Sequence, residues 1–249
     1  MPLRDAYDDH MILRRIASVL LVAPALAVVG CASGTTPAGP SSPAQAPTPP
    51  ATTPAASEMQ ADAAWLDDGR LLGLVTWGSS SCVPITEAAT ASGQEVAVTL
   101  TDPGDGTQPC TADFSPRASL VGVPEGVNPQ DDVTVALTYL DQTVRFEVDG
   151  ADDLKGVPGE ATDYAPSAGW FDDEKGIVLL TWGSSSCTPI VERIDEGADA
   201  ITVTFTPHEG ACTMDMGPRL TVLSVSGEGD DQDLVLVGDN LDATLPIIG

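Results

Sequence analysis

The sequence predicts an all-β protein built as two tandem small β-sandwich or barrel-like domains, related by internal duplication and each closed by one intradomain disulfide. Three observations carry that expectation. Blocks of residues recur at a nearly constant spacing. Short apolar or alternating runs are separated by Gly, Pro, Asp and Asn. Aromatic residues make up only 4% of the 249 residues and charged residues 19%, while β-branched residues recur throughout.

The recurrence is close to literal. Trp65-Leu66-Asp67-Asp68 returns as Trp170-Phe171-Asp172-Asp173, and Thr76-Trp77-Gly78-Ser79-Ser80-Ser81-Cys82 returns as Thr181-Trp182-Gly183-Ser184-Ser185-Ser186-Cys187, both 105 residues on. Cys110-Thr111-Ala112-Asp113 with Pro116-Arg117 returns as Cys212-Thr213-Met214-Asp215 with Pro218-Arg219 at a spacing of 102, and Leu140-Asp141 matches Leu241-Asp242 at 101. A spacing that shrinks only across turn-forming stretches is what a duplicated unit with drifting loops leaves behind.

Between these fixed points the first copy offers strands at Leu71–Trp77, Glu95–Thr101, Ala118–Val123, Val133–Leu137 and Thr143–Val148. The second offers Gly176–Trp182, Ala200–Thr206, Arg219–Val225, Leu234–Val237 and Ala243–Ile248. Only Glu192–Asp199 has room for a turn of helix. A copy of this size buries a modest core, so a covalent staple is expected. Cys82–Cys110 and Cys187–Cys212 are the pairs that lie within one copy at matching places, and each closed loop contributes roughly 3.5 kcal/mol in the chain-entropy account.

The fifth cysteine has another use. Arg14 and Arg15 precede an apolar run from Ile16 to Val29 that ends in Gly30 and Cys31, a run too short to span a bilayer and shaped like an export signal. Met11 is the expected initiator, because Asp5, Asp8 and Asp9 spoil a basic start. Val28-Val29-Gly30-Cys31 resembles the lipobox of bacterial lipoproteins, which implies a lipidated Cys31 at the mature N-terminus. The tandem repeat on such an anchor resembles repeat-bearing lipoproteins of high-GC Gram-positive bacteria, a resemblance that brings no activity with it. The expected location is outside the cell, on the outer face of the cell membrane, with two or more acyl chains as the anchor.

The chain then divides into a signal peptide over 1–30, lipidated Cys31 with a Pro/Ala/Thr tether over 31–61, a first β domain over 62–149, a linker over 150–167 and a second β domain over 168–249. The tether lacks hydrophobic periodicity and its prolines favour extended polyproline II segments. The acidic, Gly- and Pro-containing stretch Asp149–Pro166 is either a flexible joint or packed between the domains, and its acidic composition makes flexibility the default.

A formal charge of −27 excludes nucleic acid as a partner, since the surface repels phosphate. The Gly-Ser-Ser-Ser-Cys segment has the look of a nucleophile turn. Yet His208 is the only histidine after the signal peptide, so one copy keeps the motif without a base. The serines are therefore expected to cap turn amides, leaving a secreted hydrolase as the weakest reading. Asp113 with Arg117, and Asp215 with Arg219, offer either a fork for a ligand or a structural use, in which Asp closes an Asx-turn after the Cys and Arg pairs with it or covers a sheet edge. Trp65, Trp77, Trp170 and Trp182 offer stacking surfaces or core packing, with strand alternation placing Trp77 on the face of Val75 and Gly73. Asp102, Asp105, Asp172, Asp173, Glu174, Asp230, Asp231, Asp233, Asp239 and Asp242 supply oxygen ligands of the kind calcium takes, without EF-hand spacing. No cofactor or resident metal is expected. The function expected is a non-catalytic binding or presentation module with an envelope protein or glycan as partner. A solute- or calcium-binding lipoprotein and a purely structural envelope protein are the alternatives.

Overall fold

The computed structural model describes residues 59–104, 108–172, 175–226 and 232–249. The signal peptide, Cys31, the tether as far as Glu58, and Asp105, Asp173, Glu174, Asp230 and Asp231 lie outside the described residues. The fold is all-β, with two disulfides.

Fourteen strands are present among the described residues: β1 Ala61–Leu66, β2 Leu71–Gly78, β3 Ile85–Ser92, β4 Glu95–Thr101, β5 Ser115–Gly122, β6 Val133–Tyr139, β7 Gln142–Val148, β8 Ser167–Phe171, β9 Gly176–Gly183, β10 Ile190–Glu196, β11 Ala200–Thr206, β12 Gly217–Ser224, β13 Asp233–Val237 and β14 Ala243–Ile248. They form sheets of order β1-β2-β5, β3-β4-β6-β7 and β10-β11-β13-β14-β8-β9-β12. The third sheet contains, in sequence, the counterparts of the second and of the first. It is joined by a short parallel pairing of β14 with β8 at Ile247↔Ala168 and Ile248↔Gly169.

Hydrophobic pattern explains the layering. Glu95–Thr101 alternates, and Val96, Val98 and Leu100 point into one core, where they meet Trp65, Leu72, Leu74 and Val121 from the first sheet. Ala200–Thr206 alternates in the same way, sending Ile201, Val203 and Phe205 against Trp170, Ile177, Leu179 and Leu223. By contrast β2 and β9 are apolar almost throughout, which marks strands covered on both faces. Their second faces meet each other: Ala64, Leu66 and Val75 pack on Phe171, Val178 and Leu180 in a third core. The two halves thus stand back to back within one compact unit, the first as two stacked sheets and the second as one seven-stranded sheet folded on itself.

Close approach at that junction requires small residues. A Cβ on Gly73 would lie 2.7 Å from Val178 Cγ1, and one on Gly169 would lie 2.2 Å from the Trp65 carbonyl oxygen. The apolar density here is continuous from one outer sheet to the other.

Three expectations are corrected. Glu192–Asp199 holds no helical turn: Ile190–Glu196 is an edge strand paired with β11, and its charges face water. The stretch Asp149–Pro166 is a packed crossing, not a flexible joint. Leu154 is buried in the first core, the Gly156 N–H donates to the Asp68 carbonyl at 2.7 Å, Arg70 bridges Asp67 and Asp163 at 3.0 Å each, and the Asp67 N–H donates to Ser167 Oγ at 2.9 Å. The match of Leu140-Asp141 with Leu241-Asp242 holds in letters only. Val135 and Leu234 occupy the same register beside β4 and β11, as do Phe146 and Leu245 beside β6 and β13, and both spacings are 99 residues. The paired left-handed turn residues are accordingly Leu140–Asp141 and Asp239–Asn240, with φ between 49° and 60°.

Candidate ligand groove and the disulfide loops

Each tryptophan-bearing strand runs out into a Ser-Ser-Ser-Cys loop, and the cysteine ties that loop to the segment entering the next sheet edge. Cys82 bonds Cys110 and Cys187 bonds Cys212, with Cα atoms 5.6 and 5.7 Å apart. The hydroxyls beside them are spent on one another. Ser79 Oγ lies 2.8 Å from Thr111 Oγ1, and Ser81 Oγ accepts from the Thr111 N–H at 3.0 Å. In the other loop Ser184 Oγ lies 2.7 Å from Thr213 Oγ1, and Ser186 Oγ accepts from the Thr213 N–H at 3.0 Å.

Asp113 and Asp215 complete these networks. Asp113 accepts from the Ser80 N–H and Ser115 Oγ, each at 3.1 Å, and from Thr111 Oγ1. Asp215 accepts from the Ser185 N–H at 3.2 Å and from Thr213 Oγ1. Bonds to the ionised form favour it. Thr111 and Ser80 hold the Asp113 carboxyl well below the ordinary carboxylate range, and Ser185 with Thr213 brings Asp215 down from 3.8 to about 2.

Among the described residues the two arginines do not pair with these aspartates: each Asp serves its own loop, and each Arg turns to loop carbonyls. Strand alternation turns Arg117 inward, where it is 9% exposed and donates to the Ser79 carbonyl at 3.2 Å and to the Cys82 carbonyl. Arg219 donates to the Cys187 carbonyl at 2.9 Å and to the Trp182 carbonyl at 3.0 Å. Each guanidinium thus holds two inward-facing backbone carbonyls at its disulfide loop. Gly78 and Gly183 make room for them: a Cβ at either would lie 2.7 or 2.8 Å from the guanidinium carbon.

The two halves differ around these arginines. Tyr139 lies 5.8 Å from the Arg117 guanidinium carbon and its hydroxyl donates to Asp102 at 2.6 Å. Burial is the main cause that raises the Tyr139 phenol. The register places Gly238 where Tyr139 sits, so Arg219 has no such neighbour and its buried Nε has no partner. Desolvation lowers the Arg219 guanidinium, opposed by Asp239.

The four tryptophans separate into two roles. Trp65 and Trp170 are core residues, and Trp65 Nε1 donates to the Asp149 carbonyl at 2.7 Å. Trp77 and Trp182 are half-buried at the rim of the junction between sandwiches. Trp182 is covered by the crossing segment: Tyr164 meets it edge-on with centroids 5.0 Å apart, and its Nε1 donates to the Ala165 carbonyl at 3.1 Å. Trp77 touches Phe171 edge-on at 6.3 Å but its Nε1 makes no hydrogen bond. It borders instead a groove of about 690 Å³ together with Met59, Gln60, Phe114, Tyr139 and Gln142. Phe114 is 72% exposed and Leu140 beside it 64%.

Comparison with protein-family profiles, with curated proteins and with solved structures finds no match. The chemistry of the site is therefore argued from its own atoms. Ser79, Ser81, Ser184 and Ser186 are engaged with the loop threonines, and among the described residues no hydrogen bond joins His208 to a serine: its backbone N–H donates to Asp239 at 3.2 Å and its buried Nδ1 is unpartnered. Among the described residues the one group of potential metal ligands is Cys187, His208 and Cys212, with donor atoms within 4.8 Å of one another. Its two sulfurs are bonded together, which leaves no thiolate to ligate.

Of the residues singled out from sequence, the groove gathers Trp77 and Arg117. It leaves Trp65, Trp170, Asp113, Asp215 and Arg219 outside. Met59, Gln60 and Phe114 went unseen, since residues outside the strands carry no period, and Gln142 was noted only as part of a repeated block. An aromatic residue directly after Asp113, in a chain with 4 Phe, was the available signal.

Proposed function

We propose that the protein is a non-catalytic binding and presentation module of the bacterial cell envelope, exported, anchored through a lipid on Cys31 and carried on the Pro/Ala/Thr tether. The observation that carries the binding half of this reading is the aromatic groove. It is open, lined by Trp77, Phe114, Arg117 and Tyr139, and bordered by the side chains of Gln60 and Gln142 and by an indole N–H without a hydrogen bond among the described residues. Concave apolar surface with a few unspent polar groups is what ligand sites offer. The absence of any serine–histidine contact in the Ser-Ser-Ser-Cys loops supports binding over turnover.

The same strand order in both sandwiches, matching disulfides and matching Asp and Arg contacts support descent of the two halves from one duplicated unit. Pairs at the 105 spacing also touch at the junction, Gly73 with Val178 and Ala64 with Gly169, as related positions do at a two-fold contact. A solute-binding variant has its own support: a second groove of about 580 Å³ between the halves, flanked by Ser80 and Ser185 and floored by Leu120 and Leu220.

The test is crosslinking in intact cells, purification through a C-terminal tag and identification of co-purifying molecules. A partner captured by the natural protein and lost with Phe114→Ala supports the groove as the binding surface. Recovery of the protein alone, under crosslinking that captures known neighbours of other lipoproteins, counts against a macromolecular partner. Cys31→Ser releasing the protein into the medium tests the anchor.

A further inference from the structure

Two equivalent loops flank the junction, and only one of them holds a cation of the chain itself. Asp67 and Arg70 stand 105 residues before Asp172 and Lys175, and the Arg70 and Lys175 N–H groups donate to the Asp67 and Asp172 carbonyls at the same 3.1 Å. The anchoring bonds correspond too. The Asp67 N–H donates to Ser167 Oγ at 2.9 Å and the Asp172 N–H to Asp62 Oδ2 at 2.8 Å, and Asp62 and Ser167 are again 105 apart. At the first loop the Arg70 guanidinium borders a cavity of about 280 Å³ and is held by Asp67 and Asp163, at 3.0 Å each. At the second, Lys175 is exposed and makes no ion pair among the described residues.

The cavity beside the second loop, of about 320 Å³, collects negative charge without a cation. Glu147, Asp149 and Asp172 line it together with Trp65, Trp170 and Phe171, and none of these three carboxylates makes an ion pair among the described residues. Glu147 stands where the register places Pro246 in the other half, and Asp62 where Ser167 stands, so two neutral positions of the filled site are carboxylates in this one. A separate observation points to a ligand. Trp170 is 7% exposed and its buried Nε1 has no hydrogen-bond partner, whereas Trp65 donates its own to the Asp149 carbonyl at 2.7 Å. A buried donor left unmade is costly, so an acceptor is wanted there.

A bare metal ion does not suit this set, because the indole N–H only donates and turns its positive end to the site. An organic cation that also carries an acceptor oxygen satisfies both demands. Guanidinium is favoured over ammonium, since its planar fork serves two carboxylates at once, as Arg70 does with Asp67 and Asp163. Aromatic walls favour it further. We propose that the cavity bordered by Trp65 and Trp170 is a receptor for an arginine side chain of a partner peptide. Glu147, Asp149 and Asp172 hold the guanidinium, and the Trp170 indole donates to a carbonyl of the same peptide. The site is separate from the groove at Trp77 and does not depend on it.

The test titrates the full mature chain with acetyl-arginine amide and follows the 4 tryptophan indole N–H signals by NMR, that of Trp170 being assigned by its loss in Trp170→Phe. The Trp170 signal moves saturably, and acetyl-citrulline amide, which has the same shape without the charge, binds at least about tenfold more weakly. Glu147→Gln, at an exposed strand position, weakens binding about fivefold or more and leaves the urea midpoint unchanged. Equal binding of the two probes, or binding that Glu147→Gln combined with Asp149→Asn does not weaken, overturns the site. So does a shift confined to the Trp77 signal, which would place the probe in the other groove. Binding seen only after Lys175→Ala makes the chain's own lysine the occupant and overturns the partner's arginine, as does no saturable binding to either version. Free arginine binding more than about tenfold tighter than the blocked probe marks an amino-acid site and overturns the peptide source. If calcium raises the melting temperature in a Glu147-dependent manner and the arginine probe does not bind, the site is a metal site and the inference falls.

Discussion

A glycine beside a tryptophan sets the geometry of each disulfide loop. Gly78 lies flat against the Arg117 guanidinium and Gly183 against that of Arg219, and both arginines spend their donors on loop carbonyls. Gly78→Ala is therefore expected to destabilise the fold by about 1–3 kcal/mol, as overpacking does, measured by urea unfolding. Gly122→Ala, on the neighbouring strand with nothing within 4 Å of its added carbon, serves as the control and should be neutral or slightly stabilising. Asp215 supplies a pH dependence. Its folded-state value of about 2 lies below the ordinary 3.8, so the stability it gives is whole above 3.8 and is lost as pH falls towards 2. Asp113 acts in the same direction. Thermal unfolding followed from pH 5 to pH 2 should fall less steeply in Asp215→Asn than in the natural protein. The spacing of four between Asp and Arg was legible in the sequence; their indifference to one another was not, since alternation sends one to the loop and the other inward.

Strands with a regular alternation or a continuous apolar run were read from the sequence, and the wet edge strands and the short strands at the junction were not. Glu95–Thr101 and Ala200–Thr206 alternate because one face meets a core and the other water. Ile85–Ser92 and Ile190–Glu196 are edge strands with bulges between Thr86 and Ala88 and between Val191 and Arg193, so alternation breaks midway and polar residues dominate. Ala61–Leu66 and Ser167–Phe171 are built of small residues because they cross one another closely, and small residues carry little pattern. The bulges and charges of β10 have a protective role at an open edge. Replacing Glu192, Arg193 and Asp195 together by valine should leave the monomer's far-ultraviolet dichroism unchanged and produce concentration-dependent association in sedimentation. Each disulfide fixes a loop to the outgoing strand, and changing both Cys187 and Cys212 to alanine should cost about 2–5 kcal/mol in urea unfolding.

At the scale of the molecule the junction decides behaviour. Because the third core is shared, the two sandwiches should unfold in one calorimetric transition, and the second half alone should aggregate by exposing Phe171, Val178 and Leu180. Gly73→Ala presses on Val178 and is expected to lower stability by about 1–3 kcal/mol, with part of the loss recovered when Val178→Ala is added, a coupling that a double-mutant cycle measures. The near-continuous apolar runs of β2 and β9 are explained by cover on both faces, while how the two halves pack was not legible in the sequence. The crossing segment misled, because its acidic residues suggested solvent while Leu154 and the backbone contacts of Gly156 bind it down.

Back-to-back packing also commits both faces of the inner strands. Strands β1-β2-β5 and β8-β9-β12 each give one face to their own half and the other to their neighbour. The outer sheet of the first half carries Glu95 and Arg145, 3.6 Å apart, and a succession of threonines. One residue inserted in β2 or β9 would turn every later side chain of that strand to the opposite face, and so would disturb two cores at once.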